Sequence, residues 1–309
     1  MRSKDLRQLG EDVVVVAQDE SFILTLATSA LLSAARPATN KRLFGSGSNT
    51  ANDMEDVISG AAACKDVAAI FARGTFDSGN IGVWVGPQFQ SALASQINSF
   101  AFQGVDASAY PATLESYLGE AGGVSGAQSL ADTVTAYVNA CPDASVIVSG
   151  WSQGALVAHQ GLALLTPAVQ QSVAALAVFG DPAALFGLPA VPSTIPVHAE
   201  CFTGTDLDPL CASLSADFTF PTSLSDITGP FSKLPTLATG ASEVAAAASL
   251  VLDFPGELLA ADQAFVHTLT NTSETQRLLL TPQHFMYGNN GNTGTAADFV
   301  AGLAAVAGK

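Results

Sequence analysis

Twenty residues constrain this chain more than any others. Ser145–Ser149 (SVIVS) is an apolar run, Gly150-Trp151-Ser152-Gln153-Gly154 follows it, and Ala155–Leu164 (ALVAHQGLAL) has the composition of a helix. A G-x-S-x-G placed between a strand and a helix demands a sharp turn, in which small residues let the backbone close and the serine projects past the end of a sheet. The flanking sequence repeats the strand-helix alternation. Val67–Ala72 is an apolar run ending in Arg73-Gly74-Thr75, Gly86–Ile97 predicts a helix, and Ala101–Val105 predicts a short strand. Leu130, Val134, Tyr137 and Val138 recur at helical spacing up to Cys141-Pro142; Ala174–Phe179 and Thr194–Phe202 predict further strands, and Ala296–Ala307 a closing helix. Strands separated by helices imply a parallel sheet covered on both faces, hence a three-layer α/β sandwich.

Neither a linker nor a repeat interrupts Cys64–Cys211, which predicts one domain. Residues 212–283 differ. Asp217–Pro235 is Ser/Thr/Pro-rich, and the Ala- and Leu-rich helical sequence after it is expected to break at Phe254-Pro255-Gly256. Such a stretch buries too little core to stand alone and is expected to be an insertion packed on the domain. At the other end, Phe22–Ala35 is an uncharged apolar run too short to span a bilayer, followed by the small residues Ser33-Ala34-Ala35. Residues 1–42 are therefore expected to be a signal peptide and pro-segment. Asp19 and Glu20 lie where positive charge belongs, which fits an upstream extension of the true start, and Lys41-Arg42 offers a dibasic processing site. The catalytic domain would then occupy residues 43–309.

Charge narrows the function. With 11 Lys+Arg against 27 Asp+Glu the net charge is −16, which supplies no basic surface to displace counterions from phosphates; nucleic acid is excluded as a partner. The chain is 48% hydrophobic and only 12% charged, the balance of a folded protein with a large core. Cys64, Cys141, Cys201 and Cys211 contain no C-x-x-C pair, so no metal is expected and two disulfides in an exported protein are. Asn271-Thr272-Ser273 is a glycosylation acceptor pattern.

A serine nucleophile needs a base, and the base an orienting acid. His159 lies seven residues along the elbow helix, roughly 10 Å at 1.5 Å per residue, and should point away. His198 falls within a predicted strand, as a core histidine, and His267 within the insertion. His284 sits in the turn-rich Pro282–Gly288, last in the order Ser…Asp…His used by α/β-hydrolases, and is favoured over His267. For the acid, Asp208 is preferred narrowly to Asp206, and both to Asp181 in Phe179-Gly180-Asp181-Pro182; a Cys201–Cys211 bridge would pin the loop holding the first two. Cys64 and Cys141 each precede a strand and share the N-terminal edge of the sheet, where they could bond. Thr75 and Ser152 follow strands at the opposite, ligand-binding edge. The Gln153 amide, a second amide from Arg73-Gly74-Thr75 and the Thr75 hydroxyl are candidate oxyanion donors.

These residues resemble the cutinase family of secreted serine esterases, which includes acetylxylan esterases. The resemblance rests on Cys64–Thr75 with Gly79-Asn80-Ile81-Gly82 and Gly86-Pro87, on Cys141-Pro142-Asp143, Gly150–Ala155 and Asp208-Pro209-Leu210-Cys211, and on His284–Tyr287. It implies an α/β-hydrolase-like fold with Ser152 as nucleophile, His284 as base, Asp208 as acid, and Thr75 with Gln153 as oxyanion hole. It also implies disulfides Cys64–Cys141 and Cys201–Cys211, and a secreted monomer needing no cofactor. The expected substrate is a cutin-like polyester or a short- to medium-chain ester, with acetylated xylan, an acylated polysaccharide, as the alternative. A non-catalytic protein binding waxy surfaces is the reading from another class. One departure stands out: 76 positions separate Asp208 from His284, whereas the family joins acid to base by a short loop. From that insertion Phe218, Phe220, Phe231, Leu234 and Leu237 are candidates for an acyl-binding wall or lid, the alternative being a decoration resting on the sheet edge.

Overall fold

A computed structural model describes residues 48–220, 234–238, 240–260 and 274–309. The expected signal segment, Lys41-Arg42, Asn271, His267 and Phe231 lie outside the described residues. Five strands, β1 (Val67–Ala72), β2 (Phe100–Gly104), β3 (Ser145–Trp151), β4 (Val173–Phe179) and β5 (Val197–Glu200), pair in parallel in the order β2-β1-β3-β4-β5. β1, β3 and β4 are buried at every position, which is why their sequences are unbroken apolar runs.

The pleat sends alternate residues to two cores. Val67, Ala69 and Phe71 join Phe89 and Leu93 of α2 (Gly86–Ala94) and Ala296, Ala297 and Val300 on one face. Ala68, Ile70 and Ala72 meet Met54 and Val57 of α1 (Asp53–Ile58), with Leu130, Val134 and Tyr137, on the other. Two further helices, α3 (Leu114–Gly119) and α4 (Val124–Ala140), connect β2 to β3, and α5 (Gln153–Leu164) connects β3 to β4. Within the long segment between Asp208 and His284, α6 is Ala241–Ala260; α7 (Asn292–Ala301) ends the fold. In this order the chain leaves β1 for β2 on one side, then returns past β1 to β3 on the other. The loops after β1 and β3 therefore part at a switch point, the crevice where open α/β sheets bind ligands.

Several expectations need correction. β5 is shorter than Thr194–Phe202, since Pro196 lacks an N–H for the ladder, and as an edge strand it is half open. His198 is accordingly no core residue; its Nε2 lies 2.8 Å from Glu200 Oε1 and its ring stacks on Phe299. Helix α6 runs through Phe254-Pro255-Gly256 without a break, because a proline removes only its own N–H bond while the neighbouring turns continue the ladder. Both α1 and α3 are too short for a helical period to register in the sequence.

Disulfides Cys64–Cys141 and Cys201–Cys211 are formed, with Cα–Cα distances of 5.7 and 5.9 Å. The first ties the chain ahead of β1 to the chain ahead of β3. The second closes the loop that leaves β5.

Candidate active site

Ser152 directly follows β3 with φ 58° and ψ −124°, a conformation that costs a non-glycine residue about 1–3 kcal/mol. Flanking contacts hold it there. Its N–H donates to Phe179 O at 2.9 Å, and the first turn of α5 lies so close to β1 that a Cβ on Gly154 would stand 2.0 Å from Ala72 O. The second glycine of the motif thus allows backbone-on-backbone packing beneath the serine.

His284 belongs to a short 3-10 turn, Pro282–Phe285, and is 1% exposed. Its Nδ1 lies 2.7 Å from Asp208 Oδ2. Trp151 Nε1–H donates to the His284 carbonyl at 3.0 Å, and the two rings lie 5.4 Å apart. At Gly180, where φ is 53°, a Cβ would come within 2.8 Å of the imidazole, so only a glycine leaves the ring its space. Nδ1 is thus committed to Asp208, while Nε2 is buried without a hydrogen-bond partner. Ser152 and His284 line the same cavity.

Asp208 lies inside the Cys201–Cys211 loop and is fully buried. Burial alone would push its carboxyl up, but the adjacent His284, the Tyr287 hydroxyl and the Leu210 amide outweigh it and hold the group below the usual carboxylate range. Tyr287 O–H donates to Oδ2 at 2.7 Å, and the Leu210 N–H donates to Oδ1 at 3.1 Å. The other two aspartates are elsewhere. Asp206 is exposed, and Asp181 Oδ2 lies 2.8 Å from His159 Nε2.

The oxyanion candidates converge from two elements. Among the described residues neither the Thr75 nor the Gln153 main-chain N–H finds an acceptor, and Gln153 opens a helix whose N-terminus favours negative charge. The Thr75 hydroxyl, read from the sequence as a further donor, gives its proton to Gln153 Oε1 at 2.8 Å. Gln153 Nε2 donates in turn to Ser116 Oγ at 2.9 Å and to Gly122 O at 2.6 Å. This chain fixes the two amides relative to one another.

The cavity is lined mostly by carbon, with Leu114, Tyr117, Leu210, Leu250, Phe254 and Leu278 among its walls and Arg277 the charged residue on its lining. Three of the wall residues expected from the insertion are placed elsewhere, while Phe231 and the Leu237 side chain lie outside the described residues. Phe218 packs on Phe220, 5.3 Å between rings, and neither lines the cavity; Leu234 is buried in the core. Among the described residues no cluster suited to a metal ion occurs. Sequence reasoning missed Trp151, Gly180 and Tyr287 as neighbours of His284; their only signal was proximity to the motifs.

The sequence profile of the cutinase family matches residues 63–221. A cutinase from Botryotinia fuckeliana is 40% identical over 124 residues, 40% of this chain and 59% of that protein. One from Trichoderma harzianum is 35% identical over 141 residues, 45% of this chain and 56% of that protein. The chain thus spans less than two thirds of the length of these relatives. Among solved structures, a Trichoderma reesei cutinase in complex with a C11Y4 phosphonate inhibitor aligns over 84% of this chain and 92% of its own, at 22% identity and a TM-score of 0.44. The catalytic core domain of acetyl xylan esterase from the same organism aligns over 45% and 82%, at 20% identity and a TM-score of 0.36.

Proposed function

Because the chain belongs to the cutinase family, we propose that it is a serine esterase in which Ser152 is the nucleophile, His284 the base and Asp208 the acid. The observation that carries the reading is the buried Asp208–His284 pair, which leaves Nε2 without a partner in a cavity shared with a strained serine. Catalytic hydrogen bonds are commonly loose before substrate arrives, so the open Nε2 is the atom to take the Ser152 proton.

Ser152 Oγ attacks the ester carbonyl carbon while Nε2 takes its proton. Asp208 stabilises the imidazolium, and the main-chain N–H groups of Thr75 and Gln153 receive the charge on the former carbonyl oxygen. Nε2–H then protonates the departing alcohol. Water, deprotonated by the same nitrogen, releases the acid from Ser152, so no metal or cofactor enters the reaction. The apolar walls favour an aliphatic acyl group, in a short- to medium-chain ester or a cutin-like polyester, over the single methyl that each acetyl group of acetylated xylan can bury.

Two disulfides fit an oxidising compartment, and with the apolar run Phe22–Ala35 they support secretion. Domain boundaries follow the same reading: a removed segment to about residue 42, then a catalytic domain interrupted at about 212–283, acting as a monomer. Ser152→Ala should abolish hydrolysis of p-nitrophenyl butyrate with the circular dichroism spectrum unchanged. Retained turnover would remove Ser152 from the mechanism, and an inactive wild type would favour the surface-binding alternative.

A further inference from the structure

The segment between acid and base does more than cross the surface, because α6 closes one side of the cavity. Its N-terminal end is anchored by Glu243, a buried carboxylate that accepts from Gln88 Nε2 at 3.1 Å, Asn289 Nδ2 at 3.2 Å and the Gly240 N–H at 3.0 Å. Near the other end the Phe254 ring meets Phe76 edge-on, 6.0 Å between centroids. The returning strand of chain is held too. Arg277 donates from Nε and Nη2 to Leu185 O at 3.1 and 2.8 Å, and its own carbonyl accepts from Tyr117 O–H at 2.9 Å. Held at Glu243, with Phe254 against Phe76 and the returning chain fixed at Arg277, the described part of α6 is a wall of the cavity.

Phe76 shows which side of the wall matters. It follows Thr75 directly and sits at φ 62°, where a bulky side chain is an outlier and strain collects at functional positions. The strained backbone is held by the Phe76 N–H donating to Ala112 O at 3.1 Å, and the ring lines the cavity together with Leu250 and Phe254. A large apolar ring is thus fixed next to the candidate oxyanion donor and roofed by a helix that the sequence inserts between acid and base.

We infer, resting on the esterase reading above, that the acyl part of the substrate lies against Phe76, Leu250 and Phe254. The insertion thereby sets the specificity, for esters of unbranched aliphatic acids longer than acetate. An acetyl group has one methyl to bury there. Each added methylene that reaches the wall in the transition state improves kcat/KM by about fourfold until the cavity is full.

The test compares kcat/KM for p-nitrophenyl octanoate with that for the acetate, a ratio independent of the fraction of correctly folded enzyme. Leu250→Phe narrows the cavity by about one methylene and should lower the ratio roughly fourfold. Phe254→Ala opens it and should move the best substrate to a longer chain. Changes in these opposite directions support the inference, and either variant suffices should the other fail to fold. A ratio within twofold of wild type in the folded variants, or a wild type preferring acetate, overturns it while leaving the esterase reading intact. A wild type inactive on both esters overturns the esterase reading itself.

Discussion

Tyr287→Phe isolates one hydrogen bond in the buried acid-base pair. The hydroxyl donates to Asp208 Oδ2, the oxygen that also meets His284 Nδ1, at 2.7 Å in each case. The ring itself is retained by Phe202 and Phe179, at 4.8 and 6.3 Å between centroids, so deleting one oxygen leaves the packing in place. A hydrogen bond to a charged group contributes about 1.5–3 kcal/mol, and the Phe202 N–H loses a long contact of 3.3 Å as well. We expect a loss of about 2 kcal/mol at neutral pH. The sign with pH follows from the depressed carboxyl: its stabilising contribution is present above the ordinary carboxylate value near 4 and lost as pH falls through its lower folded value. The deficit should therefore be full at pH 7 and shrink at acid pH. Urea denaturation of both proteins at pH 7 and below pH 4 reads this directly. A stability change below about 0.5 kcal/mol at pH 7, or a deficit that does not shrink at acid pH, would refute the reasoning.

Two further outcomes follow from buried groups near the cavity. Burial pushes Asp77 up to about 6, while its Oδ1 accepts the Ser78 and Val83 N–H groups that shape the loop after Thr75. Its proton is held more tightly folded than unfolded, so stability is lost as pH rises from about 4 through 6, on the order of 3 kcal/mol in all. Asp77→Asn cannot titrate, and its stability relative to wild type should improve by that amount between pH 4 and 7; a constant difference in urea melts would contradict this. Gly154→Ala places a methyl 2.0 Å from Ala72 O and 2.5 Å from Arg73 O, both backbone atoms that cannot turn aside. It should cost about 1–3 kcal/mol or more and lower kcat, since the Gln153 amide moves with the helix. Wild-type melting and turnover would show that the elbow tolerates a Cβ.

Much of the architecture was legible because buried parallel strands are short unbroken apolar runs, whereas a helix such as Val124–Ala140 repeats its apolar residues at helical spacing. In Ser145–Leu164 the strand run, the elbow and an apolar helix follow one another. His284 was legible from chain order. Asp208 was less so, because Asp206 shares its loop and nothing local shows that one is buried and the other exposed. The expected wall residues Phe218, Phe220 and Leu234 were misplaced for a similar reason. Aromatic residues in Asp217–Pro235 have the right chemistry, but Leu250 and Phe254 reach the cavity through the path of α6, which Pro255 disguised in the sequence.

By itself the sequence determined a three-layer α/β fold, the elbow with its serine, and the pairing of chemistry at one edge of the sheet with a disulfide at the other, since each follows from local composition and strand direction. Only the tertiary structure decided that Tyr287 shares the oxygen of Asp208 that His284 uses, that Gly180 makes room for the imidazole, and that α6 walls the cavity. Those contacts join residues far apart in the chain. Their energies depend on distance, burial and direction, and no local pattern of residues encodes them.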